Sequence, residues 1–582
     1  MSVEKLITDN LELWTGAVTQ KSASGRGSGS KRELTGIKKL RELILELAVR
    51  GKLVPQITSE GCGSDAVARM VEERADLFKQ GVLKRSKAGP KPDQIEKPFQ
   101  VPPSWAWATL PMVSRYGPGK TPATKNARFW ADAVEGYAWV SITDMDHYGS
   151  VAETARRISD EAANEVFKAE PVPAGAILMS FKLTVGKVAI NQVPVYHNEA
   201  IISIFPFSGL SREYLFKTLP MLAASGKSKA AIKGNTLNAQ SIAAILVPVP
   251  PLAEQHRIVQ KVDELMALCD QLEQQTGDQI EAHERLVDTL LDTLTRAANS
   301  TELAENWARV QQHFDTLFTT EHSIDRLKQA ILQLAVMGRL VSQDPSAKSA
   351  KLLLQEAGAH RRKLVELGQA KSPRRLPPIA DEAVPYELPD GWIWVHFQDT
   401  GFTRLGKMLD KAKNRGSLKK YLRNTNVQWW SISLDDLKEL RLEEHELEEY
   451  AIQNGDLLIC EGGEPGRCAV WSDGDRDIYF QKALHRHRPL AGISSDYLKI
   501  CLTVGANSGR LAELFTGATI KHLPGDKLAR YICPLPPVCE QGRIVREVER
   551  LMDLCDILRR KLRVATKTRS FLAAVAVEQA IH

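Results

Sequence analysis

Apolar residues recur along this chain at three- and four-residue steps in four places. Leu40, Ile44 and Leu47 set up the first stripe, and Ile331 and Leu334 repeat it further on. Steps of that size put apolar side chains on one face of a helix. Gly51 and Gly338 follow where a helix end favours a residue free to take a left-handed backbone. Two longer stripes step 4-3-4-3. One runs through Ile258, Val262, Leu265, Cys269 and Leu272 and continues at Ile280, Val287, Leu290 and Leu294. The other runs through Ile544, Val548, Leu551, Cys555, Leu558 and Leu562. This is coiled-coil spacing. A helix from 254 to 296 would be roughly 60 Å long at 1.5 Å per residue. The prolines of PVPP (248–251) and PLPP (534–537) end an extended segment before each stripe, and Glu254 and Glu540 suit a first helical turn.

The paired stripes belong to a duplication. PVPPLAEQHRIVQKVDELMALCDQL (248–272) and PLPPVCEQGRIVREVERLMDLCDIL (534–558) agree at 15 of 25 positions. IKKLRELILELAVRGKLVPQ (37–56) and IDRLKQAILQLAVMGRLVSQ (324–343) agree at 11 of 20. FQVPPSWAWATL (99–110) echoes YELPDGWIWVHF (386–397), so Trp105 pairs with Trp392 and Trp107 with Trp394. A near-constant offset of half the chain means that a whole unit was copied. Each copy reads helix, variable region, proline strand, long helix.

The variable regions, 101–247 and 388–533, differ most, yet both keep a skeleton of short strands and turns. PVPAGAILMSFKLTVGKVAI (171–190) parallels IQNGDLLICEGGEPGRCAVW (452–471), and REYLFKTL (212–219) parallels SDYLKICL (495–502), a helix. Two alike scaffolds with unlike loops suit two recognition domains of different specificity. Charge bears on what they recognise. Residues 404–423 hold eight Lys and Arg against Asp410 alone, and 435–449 hold eight acids against two bases, so this module is expected to be polarised. RYGPGKTPATKNARFW (115–130) and SGKSKAAIKGN (225–235) carry bases and no acid. Glycine lets backbone amides approach a phosphate, Lys and Arg supply charge, and Asn and Thr can reach base edges. Each run taken alone also fits a solvated charged face. The 435–449 stretch is expected to be a solvated helix, and the W-x-W pairs and Trp429-Trp430 to pack in cores rather than stack on bases.

Composition narrows the field. The chain has 582 residues, 43% hydrophobic and 25% charged, with a net charge of +6: a soluble, multidomain, mildly basic protein. Its start carries no secretory signal pattern and no apolar run reaches membrane-spanning length, so a cytoplasmic location is expected. The eight cysteines form no metal-ligand spacing and are expected as reduced thiols. SASGRGSGSKR (22–32) reads as a flexible linker, not a phosphate loop, because no strand precedes it. No phosphate-loop, nucleophile-elbow or zinc-protease motif occurs, so the chain is expected to bind and position while another subunit does chemistry.

With its proline strand, E-Q-x-R-I-V helix start, Q-A-I-L-Q-L-A-V-x-G-R-L-V and G-K-T-P, the chain resembles the specificity subunits of type I restriction–modification systems over nearly its whole length. The resemblance implies an α+β fold: a tandem duplication of an α/β target-recognition domain plus long helix, the helices packing as an antiparallel coiled-coil spacer. The expected organisation is an N-terminal segment with linker (1–36), conserved helix (37–56), connector (57–100), first target-recognition domain (101–253), central spacer helix (254–300), second conserved helix (301–343), connector (344–387), second target-recognition domain (388–539) and C-terminal spacer helix (540–582). Each domain would read one half of a split asymmetric site in double-stranded DNA, and helix length would set the unread gap. The implied partners are two methyltransferase subunits that modify adenine and motor–nuclease restriction subunits. S-adenosylmethionine, ATP and magnesium would belong to those partners, with no cofactor, metal or catalytic residue in this chain. The candidate DNA contacts are Lys120, Thr121, Lys125, Arg128, Lys182, Lys187, Lys233, Asn235 and Thr236 in the first domain. In the second they are Arg404, Lys407, Lys413, Arg415, Arg467, Thr519, Lys521 and His522. Residues 1–30 have no clear family counterpart; a tether or a methyltransferase contact is open to them. A protein with its own nuclease centre and a coiled-coil adaptor without DNA are the competing readings.

Overall fold

The 4-3 stripes become two unbroken helices, Leu252–Arg296 of 45 residues and Val538–Ile581 of 44. The computed structural model describes residues 3–21, 31–83, 89–132, 135–224, 229–231, 234–410, 414–474 and 476–581. They form two units, Met1–Asp278 with Ala565–His582, and Gln279–Val564, so each long helix begins in one unit and ends in the other.

In the first unit the repeat helix Thr35–Val49 lies along two long-helix segments. Arg41 bridges Asp270 and Glu273, both at 2.6 Å, and Gln56, beyond the helix end, donates to Glu254 at 2.6 Å. It therefore runs antiparallel to the 252–278 segment. Near its start Gly16 abuts Arg569, and past its end Lys52 donates to the Ile581 carbonyl at 2.5 Å, so it runs parallel to 565–581. The second unit repeats the scheme around Glu321–Val336. Arg563–Glu321 (2.8 Å) and Lys328–Asp556 (2.5 Å) set the antiparallel partner. Arg326–Asp288 (2.7 Å) and Arg339 donating to the Ala297 carbonyl (2.6 Å) set the parallel one. Inside each unit the two long-helix segments are thus mutually antiparallel. Ile37, Leu40, Leu43 and Ile44 pack with Ile258, Val262, Leu265, Cys269 and Ala573; Ile324, Leu327 and Ile331 pack with Val287, Leu291, Ile544 and Val548. Each large aliphatic side chain buried this way contributes roughly 1.5–3 kcal/mol. Gly51 and Gly338 end the repeat helices at φ +68° and +69°, the left-handed backbone expected of them.

The N-terminal segment is no bare tether. Its short helices Val3–Thr8 and Leu11–Gly16 and the hairpin Val18–Lys21 with Lys31–Leu34 fold onto the first unit, burying Ile7 and Trp14. A Cβ on Gly36 would lie 2.1 Å from the Trp14 carbonyl oxygen, so glycine is needed for that approach. Residues 22–30 of the expected linker lie outside the described residues. In the second unit Ser300–Gln312 and Phe314–Leu317 precede the repeat helix, dividing a segment expected as one helix.

Both variable regions share one topology. In the first, Ser114–Pro118, Ile201–Pro206, Ile177–Ser180, Val188–Asn191 and Gly149–Val151 form a five-stranded sheet in that order. The second matches four of these with Gly401–Leu405, Leu484–Pro489, Leu457–Cys460 and Cys468–Val470. A smaller sheet in each holds one parallel pair, Tyr137–Val140 with Val195–His197, and Ser417–Leu422 with Ile478–Phe480. The proline strand pairs antiparallel with the W-x-W strand, Trp107 opposite Pro248 and Trp394 opposite Pro534, so each module begins and ends at one small sheet.

The helix-opening Glu-Gln pairs fasten the modules to the frame. Gln255 accepts from Ser211 N (2.7 Å) and donates to Gly209 O (3.1 Å) and Pro250 O (3.0 Å). Gln541 accepts from Ser494 N (2.8 Å) and donates to Gly492 O (3.3 Å) and Pro536 O (3.1 Å). Trp105 and Trp392 are buried at the same junctions, as core packing requires. The Glu-Gln pair of the repeated phrase, buried in both copies, is thus a lock between variable module and helical frame.

Candidate nucleic-acid interface

The first module presents its loop 119–128 beside the strand Val195–His197. The loop can lie this close because Gly119 has no side chain: a Cβ would meet the His197 carbonyl oxygen at 1.8 Å. Lys120 N donates to that carbonyl at 2.9 Å. The Lys120 ammonium turns to the end of the helical turn 160–167, donating to Val166 O (2.7 Å) and Phe167 O (3.3 Å). Two indoles pin the loop from beneath, Trp139 donating to Lys120 O (3.1 Å) and Trp130 to Ala123 O (3.2 Å). Thr121 donates to Glu199, and that bond, together with the charge of Lys182, holds the Glu199 carboxyl below its ordinary range. The geometry therefore brings Thr121 and Lys182 together at Glu199, while the Lys120 ammonium turns to the 160–167 turn. Arg128 pairs with Glu165 at 2.7 Å, and Lys125 is exposed with no bond to any described residue.

Lys182 also lies in a short strand opposite Thr236, so the 229–236 hairpin joins this edge. Lys233 and the side chains of Asn235 and Thr236 lie outside the described residues. Lys187 stands apart from the Lys120 loop. Its ammonium donates to Ile142 O at 3.2 Å, and burial followed by its positive charge pushes His147 below the ordinary imidazole range.

The second module does not separate its charges as the sequence suggested. Residues 435–449 are no solvated helix. Lys438–Leu442 is a strand paired antiparallel with Ser417–Leu422, followed by short turns at Glu444–Glu446 and Leu447–Tyr450. This register lays the acidic stretch over the basic one. Arg404 pairs with Glu449 and Lys407 with Glu446, both cations flanking the Tyr450 ring. Arg423 pairs with Asp436 at 2.6 Å. Arg415 N donates to Glu443 at 3.0 Å while its guanidinium is exposed without a described partner. Lys413 lies outside the described residues.

A second group forms at the turn 461–467. Arg467 pairs with Glu464 (3.0 Å) and donates to Asn424 O (2.7 Å). His522 closes a tight turn with Thr516 through paired backbone bonds of 2.9 Å and sets its imidazole against Glu461 at 3.0 Å. Gly517, Ala518, Thr519, Ile520 and Lys521 form the exposed tip, with Ile520 65% exposed. An apolar residue beside Thr and Lys at a projecting tip can meet a thymine methyl group and a phosphate together. The carboxylates Glu199, Glu446, Glu449 and Glu464 had no individual signal in the sequence; only the matching excesses of 404–423 and 435–449 hinted at their pairing. Among the described residues no cluster of three or more His, Cys, Asp or Glu could hold a metal ion, and no helix is long and apolar enough to cross a membrane.

Two modules of one topology, fastened alike to a duplicated helical frame and differing in their loop chemistry, define a two-headed recognition protein. A family model described as the type I restriction modification DNA specificity domain matches residues 113–282. The chain is 34% identical over 619 aligned residues to the type I restriction enzyme EcoAI specificity subunit of Escherichia coli, and 34% over 603 to the EcoEI specificity subunit of the same species; each alignment covers 100% of both chains. A crystal structure of the HsdS subunit from Thermoanaerobacter tengcongensis shows 16% identity and a TM-score of 0.39, covering 83% of this chain and 98% of that one. The chain belongs to the family of type I restriction enzyme specificity subunits, and its role is DNA sequence specificity in a type I restriction–modification complex.

Proposed function

We propose that the first module reads one half of a bipartite asymmetric DNA site and the second module the other. Two methyltransferase (modification) subunits dock on the helical frame and methylate adenine where this chain places them, and restriction (motor–nuclease) subunits complete the complex. Catalysis, with S-adenosylmethionine, ATP and magnesium, resides in those partners, and the assembly works in the cytoplasm. One observation carries the reading: strand order and Glu-Gln lock are common to both modules, while the projecting side chains are not. A common scaffold gives both modules the same approach to a groove of duplex DNA, whose backbone has local two-fold symmetry. Unlike loops then select unlike bases, since phosphate contacts fix register and base-edge contacts carry sequence.

The test is adenine methylation mapped by long-read sequencing in cells expressing the modification partner with and without this chain. A bipartite motif should appear only when the chain is present. Methylation of the same motif without it would overturn the reading, and metal-dependent cleavage by the isolated chain would favour a nuclease centre instead.

A further inference from the structure

Arg156 lies in the strand Arg156–Ile158 of the first module, directly opposite Trp139 in an antiparallel pair. Its guanidinium carbon sits 3.3 Å from the ring centroid of Trp130 and 5.8 Å from that of Trp139. The two indoles meet edge to face, centroids 5.1 Å apart at 87°. These are the indoles whose N–H groups hold the carbonyls of Lys120 and Ala123. One aromatic pair therefore fixes both the recognition loop and the plane of this guanidinium.

Several other arginines of the modules are tied down. Arg128 has Glu165, Arg157 has the carbonyls of Glu135 (2.9 Å) and Gly136 (2.5 Å), Arg404 has Glu449 and Arg467 has Glu464. Arg156 is exposed, and its guanidinium makes no hydrogen bond or ion pair with any described residue. It keeps its donor fork open in a plane set by stacking, beside a loop that carries Lys120, Thr121 and Lys125.

We propose that Arg156 reads the O6/N7 edge of a guanine in the half-site of the first module and is a specificity-determining residue there. The inference rests on the DNA-reading role proposed above. A planar guanidinium matches the two acceptors of guanine in one plane with a rigid donor fork, which an ammonium on a flexible stem lacks. Attraction to the indole face holds the side chain before DNA arrives, so less side-chain freedom is lost on binding. A flexible cation would serve a phosphate equally well; a pre-set plane serves a base edge.

The test uses the assembled methyltransferase: this chain as wild type, R156K or R156Q, co-expressed with its modification partner, and the methylated motif read from the host genome. The wild-type motif should contain a G·C pair in the half read by the first module. In both variants that one position should become degenerate, its discrimination falling about tenfold or more, while the other half keeps its sequence. A motif unchanged at every position overturns the proposal; uniformly reduced methylation would then assign Arg156 to a phosphate, and full methylation to neither. Loss of any chain-dependent motif in the wild type would instead overturn the DNA-reading role itself. Should R156Q fail to co-purify with the partner, R156K, which retains charge and aliphatic stem, carries the test.

Discussion

Trp392 donates its indole N–H to the Glu540 carboxylate at 2.7 Å, joining the mouth of the second module to the first turn of the C-terminal helix. Its counterpart is not equivalent. Burial raises the Glu254 carboxyl, opposed first by the Gln56 amide that donates to it and then by the nearby Trp105 indole, whose N–H falls short of hydrogen-bond geometry. Trp392→Phe removes a real bond and leaves a buried carboxylate one donor short. It should destabilise its unit by about 1–3 kcal/mol more than Trp105→Phe does. Hydrogen exchange over 532–548 and 246–262 in the two variants measures the difference; equal effects would mean that packing alone matters at both junctions.

Gln541 concentrates three bonds in one buried amide, reaching Ser494 N, Gly492 O and Pro536 O. Gln541→Leu keeps the size and loses all three. At about 1 kcal/mol each, the loss is about 3 kcal/mol. The exposed symptom should be local, with faster exchange at the start of the helix Ser495–Asn507, where Ser494 is the cap. Gln255→Leu should loosen the start of Arg212–Ala224 in the same way through Ser211. Protection unchanged in both variants would dismiss the lock.

The helical frame was legible because three- and four-residue steps survive burial: Ile258, Val262, Leu265 and Cys269 all enter the core. The proline and W-x-W strands could each be recognised, but their pairing is a long-range contact that periodicity does not encode. The reading of 435–449 as a helix failed for a local reason. Its acids drew attention from Leu440 and Leu442, which alternate and are both buried in the strand Lys438–Leu442, the period-2 mark of a strand. Among the candidate contacts, charge runs pointed to Lys120, Arg404 and Lys407, but the register that sets Glu446 and Glu449 against two of them is tertiary. Arg156 escaped notice because what distinguishes it is an indole 26 residues away in sequence.

His487 gives the second module an acid sensitivity. Its ring is buried between Thr400 Oγ1 (3.1 Å) and Thr403 Oγ1 (2.8 Å) and packs on Phe397. Burial, with the charge of Arg361 adding to it, pushes its pKa down to about 3. The unfolded chain takes up this proton near 6.5 and the folded chain only near 3. The neutral ring thus contributes stability that is present above pH 6.5 and lost progressively as pH falls towards 3. His487→Gln should flatten the fall of urea-unfolding stability across that window relative to wild type. An unchanged slope would place the acid sensitivity elsewhere.

The carboxylates over the second module's cations should set a cost on the binding of DNA there, as the proposed role requires. Burial raises the Glu446 carboxyl, but the bond and charge of Lys407 outweigh it and hold it below its ordinary range, so Glu446 stays ionised as the internal counter-ion. Glu449 forms the ion pair with Arg404. A phosphate approaching either cation must displace a carboxylate or be repelled by it. Glu446→Gln with Glu449→Gln keeps the side-chain shapes and frees both cations. Affinity for DNA of any sequence should rise at low salt, and the slope of log K against log salt should steepen by about 1–2, since each phosphate newly neutralised adds about 0.9. The gain should not distinguish target from non-target DNA, so the ratio of specific to non-specific binding should stay at its wild-type value. Fluorescence anisotropy of target and scrambled duplexes across a salt series reads all three quantities. Unchanged affinity and slope would mean that Arg404 and Lys407 hold the fold of this module rather than DNA.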